Sequence, residues 1–351
     1  MQFGVQFFPD VRPEEKPAAV YFSEALDLAE EADRLGYTHI RIVEHYFHYY
    51  GGYSPNPIVF LAAAAQRTKR ARLVTGAVLP AFNHPLKLAG EIAMLDALSG
   101  GRLDIGFARA FLPHEFRRFG VSPDESVARF REGLEHVDLL LREENVTHLG
   151  RFHPIEHTTS LPRPTQRPRP KFYVAALNTP ESFEFAGRMG YSVMAIAFVA
   201  EKMRPLLSAY RNAWKAGRHP GAGEVMIAFH MYCDEDGQRA RDFASPLIDA
   251  YLNSLVDAAS DWLEGMSSTD YPGYDKVIAA LRASNAAEQI ASGGAWIGSP
   301  DEIASTIALL QQEFGGFEHA SLQINFNTMP YEAALASARL FAREVMPRFS
   351  G

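Results

Sequence analysis

The feature that most limits the fold of this 351-residue chain is a regular alternation of short β-rich runs with longer amphipathic runs. The β-rich runs predict eight strands, and helical periodicity fills the gaps between them. The predicted strands are 2–8, 39–43, 72–78, 103–108, 172–176, 192–197, 225–232 and 321–325. The predicted helices are 23–35, 57–68, 85–98, 127–141, 180–189, 200–215, 238–255, 300–314 and 331–346. Eight strand-helix units of this kind predict an α/β fold, the TIM (β/α)8 barrel.

The chain is predicted to be a single barrel domain, residues 1–351, with two insertions. Residues 145–170 are predicted to form a small hairpin and a proline-rich connector, and residues 260–294 a helical insertion before the eighth strand. An open, doubly wound sheet is the alternative. Eight units without a glycine-rich first turn favour the closed barrel.

Composition excludes several classes of function. A net charge of −8 argues against nucleic acid as the main partner. The longest strongly apolar stretch, 58–65, is much shorter than the roughly 18 residues of a membrane span, and no signal peptide is recognisable at the N-terminus. A single cysteine, Cys233, suits a reducing compartment. We therefore predict a cytoplasmic protein that does not bind a membrane.

In a TIM barrel, functional residues follow the carboxyl ends of the strands. An arginine after strand four, Arg109, and a helix start at Thr179 together predict a site for a phosphate-bearing cofactor. Two structural alternatives stay open: Thr179 as a simple N-cap, and Arg109 in an ion pair. Gly76, within an otherwise apolar strand, indicates that a bulge or a flat ligand lies close to the backbone. Apolar neighbours would supply a largely dry pocket, namely Phe7, Phe111 and Phe198.

A metal site is the competing interpretation of the histidines. His45 and His48 are three residues apart, and His84, His114 and His230 lie elsewhere. No His-x-His follows the first strand, and no acidic residue ends strand eight. The ligand set of a metal-dependent barrel hydrolase is therefore incomplete, and we predict no metal.

Several motifs carry a resemblance to a known family. They are IRIVEHYF, the stretch from SPNPIVFL through DIGFARAF, HEFRRFGV, and WIGSPDEIAS. With them the chain resembles the bacterial luciferase-like flavin-dependent monooxygenases, almost continuously over residues 1–142 and more patchily afterwards.

The resemblance implies roles for individual residues. His45 would face the reactive side of the flavin, and Glu44 would orient it or close the site. Arg109, Thr179 and Ser182 would bind the flavin phosphate. The remaining cofactor-binding residues would be Thr75, Gly76, Ala108, Phe111 and Ala176. The substrate pocket would be lined by Phe7, Tyr46, Tyr50, Phe198 and His230.

The chemistry implied is that of a two-component monooxygenase. A separate NAD(P)H flavin reductase would deliver reduced FMN, which reacts with O2 to a C4a-hydroperoxide and oxygenates a small organic substrate. Luciferase has a histidine where this chain has Tyr46, and a cysteine where it has Ala108. These departures favour hydroxylation or Baeyer–Villiger chemistry over light emission.

Two other functions within the superfamily stay open. One is an F420-dependent oxidoreductase, and the other is a non-catalytic flavin-binding partner subunit. Small residues in helices 57–68 and 85–98 allow close helix approach. They suit tight packing on the barrel wall, and they also predict a homodimer through these helices.

Overall fold

The computed structural model describes residues 1–197 and 199–349, and eight of its strands form a closed parallel barrel, which confirms the predicted fold. The strands are β1 (Gln2–Phe7), β2 (His39–Ile42), β3 (Arg72–Val78), β4 (Leu103–Phe107), β5 (Val146–His148), β6 (Ile155–Thr158), β7 (Lys171–Ala175), β8 (Ser192–Ile196), β9 (Val225–Cys233), β10 (Ala295–Gly298) and β11 (His319–Gln323). Around the barrel the order is β1, β2, β3, β4, β7, β8, β9 and β11, and β11 pairs with β1 to close the ring.

Helices cover the outside of the barrel. They are α1 (Ala18–Leu35), α2 (Pro57–Arg67), α3 (Pro85–Leu98), α4 (Pro113–Phe119), α5 (Ser126–Arg142), α6 (Pro180–Met189), α7 (Ala200–Ala216), α8 (Gly237–Ala258), α9 (Tyr274–Ala283), α10 (Ala286–Ala291), α11 (Pro300–Phe314) and α12 (Tyr331–Glu344). Local signals set several of their ends. Asn56 caps α2 by accepting from two backbone N–H groups, and Ser299 and Glu302 form a capping box at α11. Within residues 1–197 and 199–349, every helix is too short or too polar to traverse a bilayer.

Several elements differ from the sequence prediction. The eighth barrel strand covers residues 319–323, two residues earlier than predicted. The short elements α4 and β10 were not predicted at all, because seven and four residues are too few to show a hydrophobic period. The position of α4 matters for function, since only five residues separate it from the end of β4.

The two insertions take different forms. Residues 145–170 contain β5 and β6, which pair as a short antiparallel hairpin. Residues 260–294 contain a 3-10 helix at Ser260–Trp262, followed by α9 and α10. The second insertion packs over the carboxyl end of the barrel through the buried aromatic rings of Trp262, Tyr271 and Tyr274.

Buried apolar side chains form three groups. The largest lies between the barrel wall and the helices. A small group fills the barrel interior, with Val74, Ala77, Tyr173, Met194 and Met226. The third covers the carboxyl ends of the strands, where loops, α4, the end of α8 and the second insertion meet. That third group encloses the candidate site.

Candidate active site

His45 and Glu115 form a buried pair at the carboxyl end of the barrel. Nδ1 of His45 lies 3.1 Å from Oε1 of Glu115, and the same oxygen accepts the N–H of Tyr46 at 2.9 Å. Glu115 is fully buried on α4. Because an ionised carboxylate only accepts hydrogen bonds, Nδ1 of His45 carries a proton, and in the neutral ring Nε2 keeps its lone pair. In this tautomer His45 can accept a proton from a ligand.

Aromatic rings surround His45. Its ring centroid lies 5.5 Å from Phe8, 5.5 Å from Tyr50 and 6.0 Å from Phe111. The hydroxyl of Tyr50 is 3.2 Å from that of Tyr251 on α8. These rings exclude water from one side of the histidine. Exclusion of water strengthens electrostatic interactions within a site and prevents side reactions there.

Glu44 does not hold His45, contrary to the predicted orienting role. Its carboxyl group accepts hydrogen bonds from the Tyr46 hydroxyl at 2.6 Å, from Nδ2 of Asn83 at 2.8 Å and from the Leu79 N–H at 3.3 Å. Burial raises the pKa of Glu44 to about 8 despite these donors. Glu44 therefore ties β2 to the loop after β3, and Glu115 is the residue that orients His45.

The rest of segment 44–50 is held by the surrounding loops. The ring of Tyr46 packs against Phe82 and Phe119, at 6.2 and 4.8 Å. His48 and Tyr49 both bond to Oδ2 of Asp257, near the end of α8. The segment is thus a structured part of the site, and the predicted contact of Tyr46 with substrate stays a prediction.

Arg109 and the start of α6 follow neighbouring strands, because β4 pairs with β7. Nη1 of Arg109 donates to the Asp270 carbonyl at 3.0 Å, and the guanidinium lies 4.9 Å from the Tyr271 ring. Thr179 is the N-cap residue of α6, but its hydroxyl is 2.8 Å from that of Ser182 and bonds to no backbone N–H among the described residues. A guanidinium beside a helix N-terminus with two hydroxyls fits a phosphate group.

Small residues form a floor beside this phosphate-type site. The Gly76–Ala77 peptide bond is cis, and a Cβ on Gly76 would lie only 1.9 Å from Nε of Arg41. The half-buried Ala108 and Ala175 pack against the interior group. The Thr75 hydroxyl bonds to both backbone groups of Gly106, so only its backbone is left for a ligand. A flat ring system fits such a floor.

Two predicted contacts lie on the wrong face of their strands. Phe7 belongs to the layer between barrel and helices, where its ring packs against Phe60 of α2 at 5.5 Å. Ala176 belongs to the same layer. Side chains alternate along a strand, so the residues one position away, Phe8 and Ala175, border the site instead.

His230 lies at the inner end of the site, with its ring 4.6 Å from Tyr251 and 5.0 Å from Phe326. Burial lowers its pKa to about 4, so the ring is neutral near pH 7. Across the described ranges, no three His, Cys, Asp or Glu side chains come together as a metal site. Phe198, the last of the predicted pocket residues, lies outside the described residues.

Sequence reasoning missed four residues of the site: Arg41, Phe8, Glu115 and Tyr251. A signal existed for two of them. Arg41 is a charged residue in the middle of an apolar strand, and Glu115 lies in the HEFRRFGV motif between Pro113 and Phe116. No local pattern indicates Tyr251, because only the packing of α8 over the barrel brings it to the site.

The opposite end of the barrel, where the strands begin, carries charged side chains that form ion pairs. A cavity of about 380 Å³ opens there, lined by residues at the amino ends of the strands. Arg72 pairs with Asp104, and Lys171 with Glu224, so these charges satisfy one another. This end has the character of the stabilising face of a TIM barrel.

Comparison with known proteins identifies the family of the chain. The family model of luciferase-like monooxygenases matches residues 1–316. The oxygenase component of flavin-dependent trigonelline monooxygenase from Acinetobacter baylyi is 32% identical over 345 residues, covering 94% of this chain and 90% of the relative. Monooxygenase RslO1 from Streptomyces bottropensis is 44% identical, with a TM-score of 0.89 over 100% of both chains.

A second solved structure shows the fold alone. It is the oxygenating constituent of 3,6-diketocamphane monooxygenase from Pseudomonas putida, a type II Baeyer–Villiger monooxygenase in complex with FMN, at 22% identity and a TM-score of 0.82 over 99% of this chain and 98% of that one. From the family model and the relatives together, this chain belongs to the luciferase-like monooxygenase family.

Proposed function

We propose that this protein is the oxygenase component of a two-component monooxygenase, which uses reduced FMN and O2 to insert one oxygen atom into a small organic substrate. One observation carries the proposal. The buried His45–Glu115 pair lies inside an aromatic enclosure at the same end of the barrel as the phosphate-type site at Arg109. The names of the relatives, a flavin-dependent oxygenase component and a monooxygenase, support it.

The residues of the site fit FMN. Arg109, Thr179 and Ser182 would hold its phosphate, and the floor at Gly76, with Ala108 and Ala175, would lie against its ring. Reduced FMN, when bound, supplies the activation of O2 that no side chain can provide. We also propose that the oxygen atom is transferred through a flavin C4a-hydroperoxide. The reaction of the reduced complex with O2 tests this step.

His45 has a role in moving protons. Glu115 keeps Nδ1 protonated and fixes the ring, so Nε2 can take up or return a proton at the reacting centre. The surrounding rings of Phe8, Tyr50 and Phe111 limit the access of water to that centre. Glu115 acts through His45 and is a positioning residue.

The protein needs two partners under this proposal. A separate NAD(P)H flavin reductase would supply reduced FMN. The trigonelline relative is itself one component of a flavin-dependent monooxygenase, which supports a separate partner protein. A second copy of the chain would pack on α2 and α3, which expose several large apolar side chains. These are Val59, Leu86, Met94 and Leu98. Exposed apolar side chains grouped on adjacent helices are typical of an interface.

Cofactor titration tests the proposal and separates it from the F420 alternative. We expect the purified protein to bind FMN in its oxidised or reduced form, and to bind F420 more weakly. The measurement is quenching of flavin fluorescence for the oxidised form, and anaerobic equilibrium dialysis for the reduced form. Tighter binding of F420 than of FMN would favour the F420-dependent alternative. Failure to bind FMN in either redox state contradicts the proposal.

A further inference from the structure

Four neighbouring strands place polar side chains at one level inside the barrel. Gln6 of β1 is in register with Arg41 of β2 and with Gln323 of β11, and Gln323 is in register with His230 of β9. The residues that alternate with them belong to the helix-facing core, so these four point inward. We call Arg41, Gln6, Gln323 and His230 the polar row.

Arg41 is the only charged member of the polar row. Its side chain is buried, and Nη2 donates to the Gly76 carbonyl at 3.1 Å. Over residues 1–197 and 199–349, Nε and Nη1 have no hydrogen-bond partner, and Arg41 forms no ion pair. Burial lowers its pKa to about 10, so the guanidinium still carries its charge at neutral pH. A buried cation without an anion is unfavourable, and an anionic ligand would offset that.

The other three members also have hydrogen-bonding capacity to offer. Gln6 and Gln323 are 5% and 2% exposed. Within the described part of the chain, a side-chain polar atom of each, and Nε2 of His230, lacks a partner. Folded proteins contain only a few such atoms per hundred residues, so their concentration in a single row indicates a ligand-binding surface.

The polar row is continuous with the enclosure around His45. The ring of His230 packs on Tyr251, and Tyr251 packs on Phe8 and Tyr50, at 5.4 and 5.5 Å. Phe8 and Tyr50 in turn contact His45. The aromatic rings therefore connect the polar row with His45.

We propose that the polar row recognises an acidic substrate, whose anionic oxygen (of a carboxylate, phenolate or enolate) binds the Arg41 guanidinium while its flat apolar body lies against Tyr50, Phe8 and Tyr251. This inference rests on the proposed oxygenase function and adds the substrate class. The planar fork of arginine suits a carboxylate-type group. The centre of the row, β1 and β11, lies across the barrel from β4 and β7, which carry the phosphate-type site. That placement assigns the row to the substrate and not to the flavin.

Binding of a matched acid and amide tests the inference. The probes are benzoate and its neutral analogue benzamide, titrated calorimetrically into flavin-free protein. We expect benzoate to bind about ten-fold or more tightly than benzamide, and Arg41→Met to remove about that advantage, as a charge-assisted hydrogen bond requires. FMN affinity should stay within about three-fold of wild type in this variant, because the row does not hold the cofactor.

Arg109→Met is the matched control within the site. It should weaken FMN binding and leave benzoate binding unchanged. The inference is overturned if wild-type protein does not bind benzoate more tightly than benzamide. It is also overturned if Arg41→Met weakens FMN binding and leaves benzoate binding unchanged, because the polar row would then bind the flavin. Failure of wild-type protein to bind FMN would instead contradict the proposed function, and the benzoate comparison would still stand.

A second variant protects the test against a folding defect. Arg41→Gln removes the charge and keeps a side-chain N–H donor on a shorter side chain. It should show the same loss of benzoate affinity, with a thermal midpoint close to that of wild type. Unchanged benzoate affinity in a folded Arg41→Gln protein overturns the inference.

Discussion

Nδ1 of His45 and Oε1 of Glu115 lie 3.1 Å apart, although 70 residues separate them in the chain. The pair exists because α4, a seven-residue helix, turns back over the end of β2. Oε2 of Glu115 has no partner among the described residues, so the contacts with His45 and the Tyr46 N–H account for the bonds of this buried carboxylate.

Glu115→Gln should lower turnover without weakening flavin binding. The amide oxygen can replace Oε1 as acceptor, but the charge opposite His45 is lost. We expect kcat to fall about 10-fold, and about 100-fold in Glu115→Ala, as expected for loss of a charge-assisted hydrogen bond. The measurement is substrate oxygenation with saturating reduced FMN, alongside the Kd for FMN. Equal kcat in all three proteins would remove Glu115 from the positioning role.

Arg109→Met should weaken binding of FMN by about 10-fold or more, because it removes the guanidinium that is proposed to hold the phosphate. Riboflavin has the same ring but no phosphate, so its affinity should change little. Fluorescence titration of both ligands against wild-type and variant protein makes the comparison. An equal loss for riboflavin would place Arg109 against the ring and not at the phosphate.

The stability of the protein should depend on pH through Glu44. Burial raises the pKa of Glu44 from an ordinary 4.5 to about 8, so the folded state favours the protonated form. This contribution to stability is fully present below about pH 4.5 and is lost as pH rises through about 8. The free energy of unfolding of Glu44→Gln, relative to wild type, should therefore increase between about pH 5 and pH 8. Urea titrations at several pH values measure it, and a constant difference would contradict the assignment.

Val59→Arg should disrupt the proposed dimer. Val59 is 67% exposed on α2, and a charge there would be buried in the interface. Leu309→Arg is the matched control, since Leu309 is 52% exposed on α11, which packs against α7, β10 and α12. Light scattering after size-exclusion chromatography should give a monomer for Val59→Arg and a dimer for the control. A wild-type monomer would refute the dimer.

The sequence was informative about the barrel because each strand-helix unit has its own hydrophobic period. It was less informative about which face of a strand a residue occupies. Phe7 and Ala176 were assigned to the site, but a shift of one residue along a strand reverses the direction of the side chain, and Phe8 and Ala175 lie there.

The partners of polar groups were the hardest part to predict. Glu44 stands beside His45 in the chain, so local reasoning paired them. Glu115 is the residue that bonds to His45, because α4 brings its carboxylate to Nδ1. The carboxyl group of Glu44 instead bonds to Asn83 in the loop after β3. Such choices depend on tertiary packing, which no short sequence window contains.

The reaction of the reduced complex with O2 tests the central claim most directly. Protein loaded with reduced FMN is mixed with O2 in a stopped-flow spectrophotometer, and flavin absorbance is followed. The account predicts a distinct oxygenated flavin species that persists before oxidised FMN appears, and that decays faster in His45→Asn. Direct return to oxidised FMN, with the kinetics of the free flavin, would contradict it.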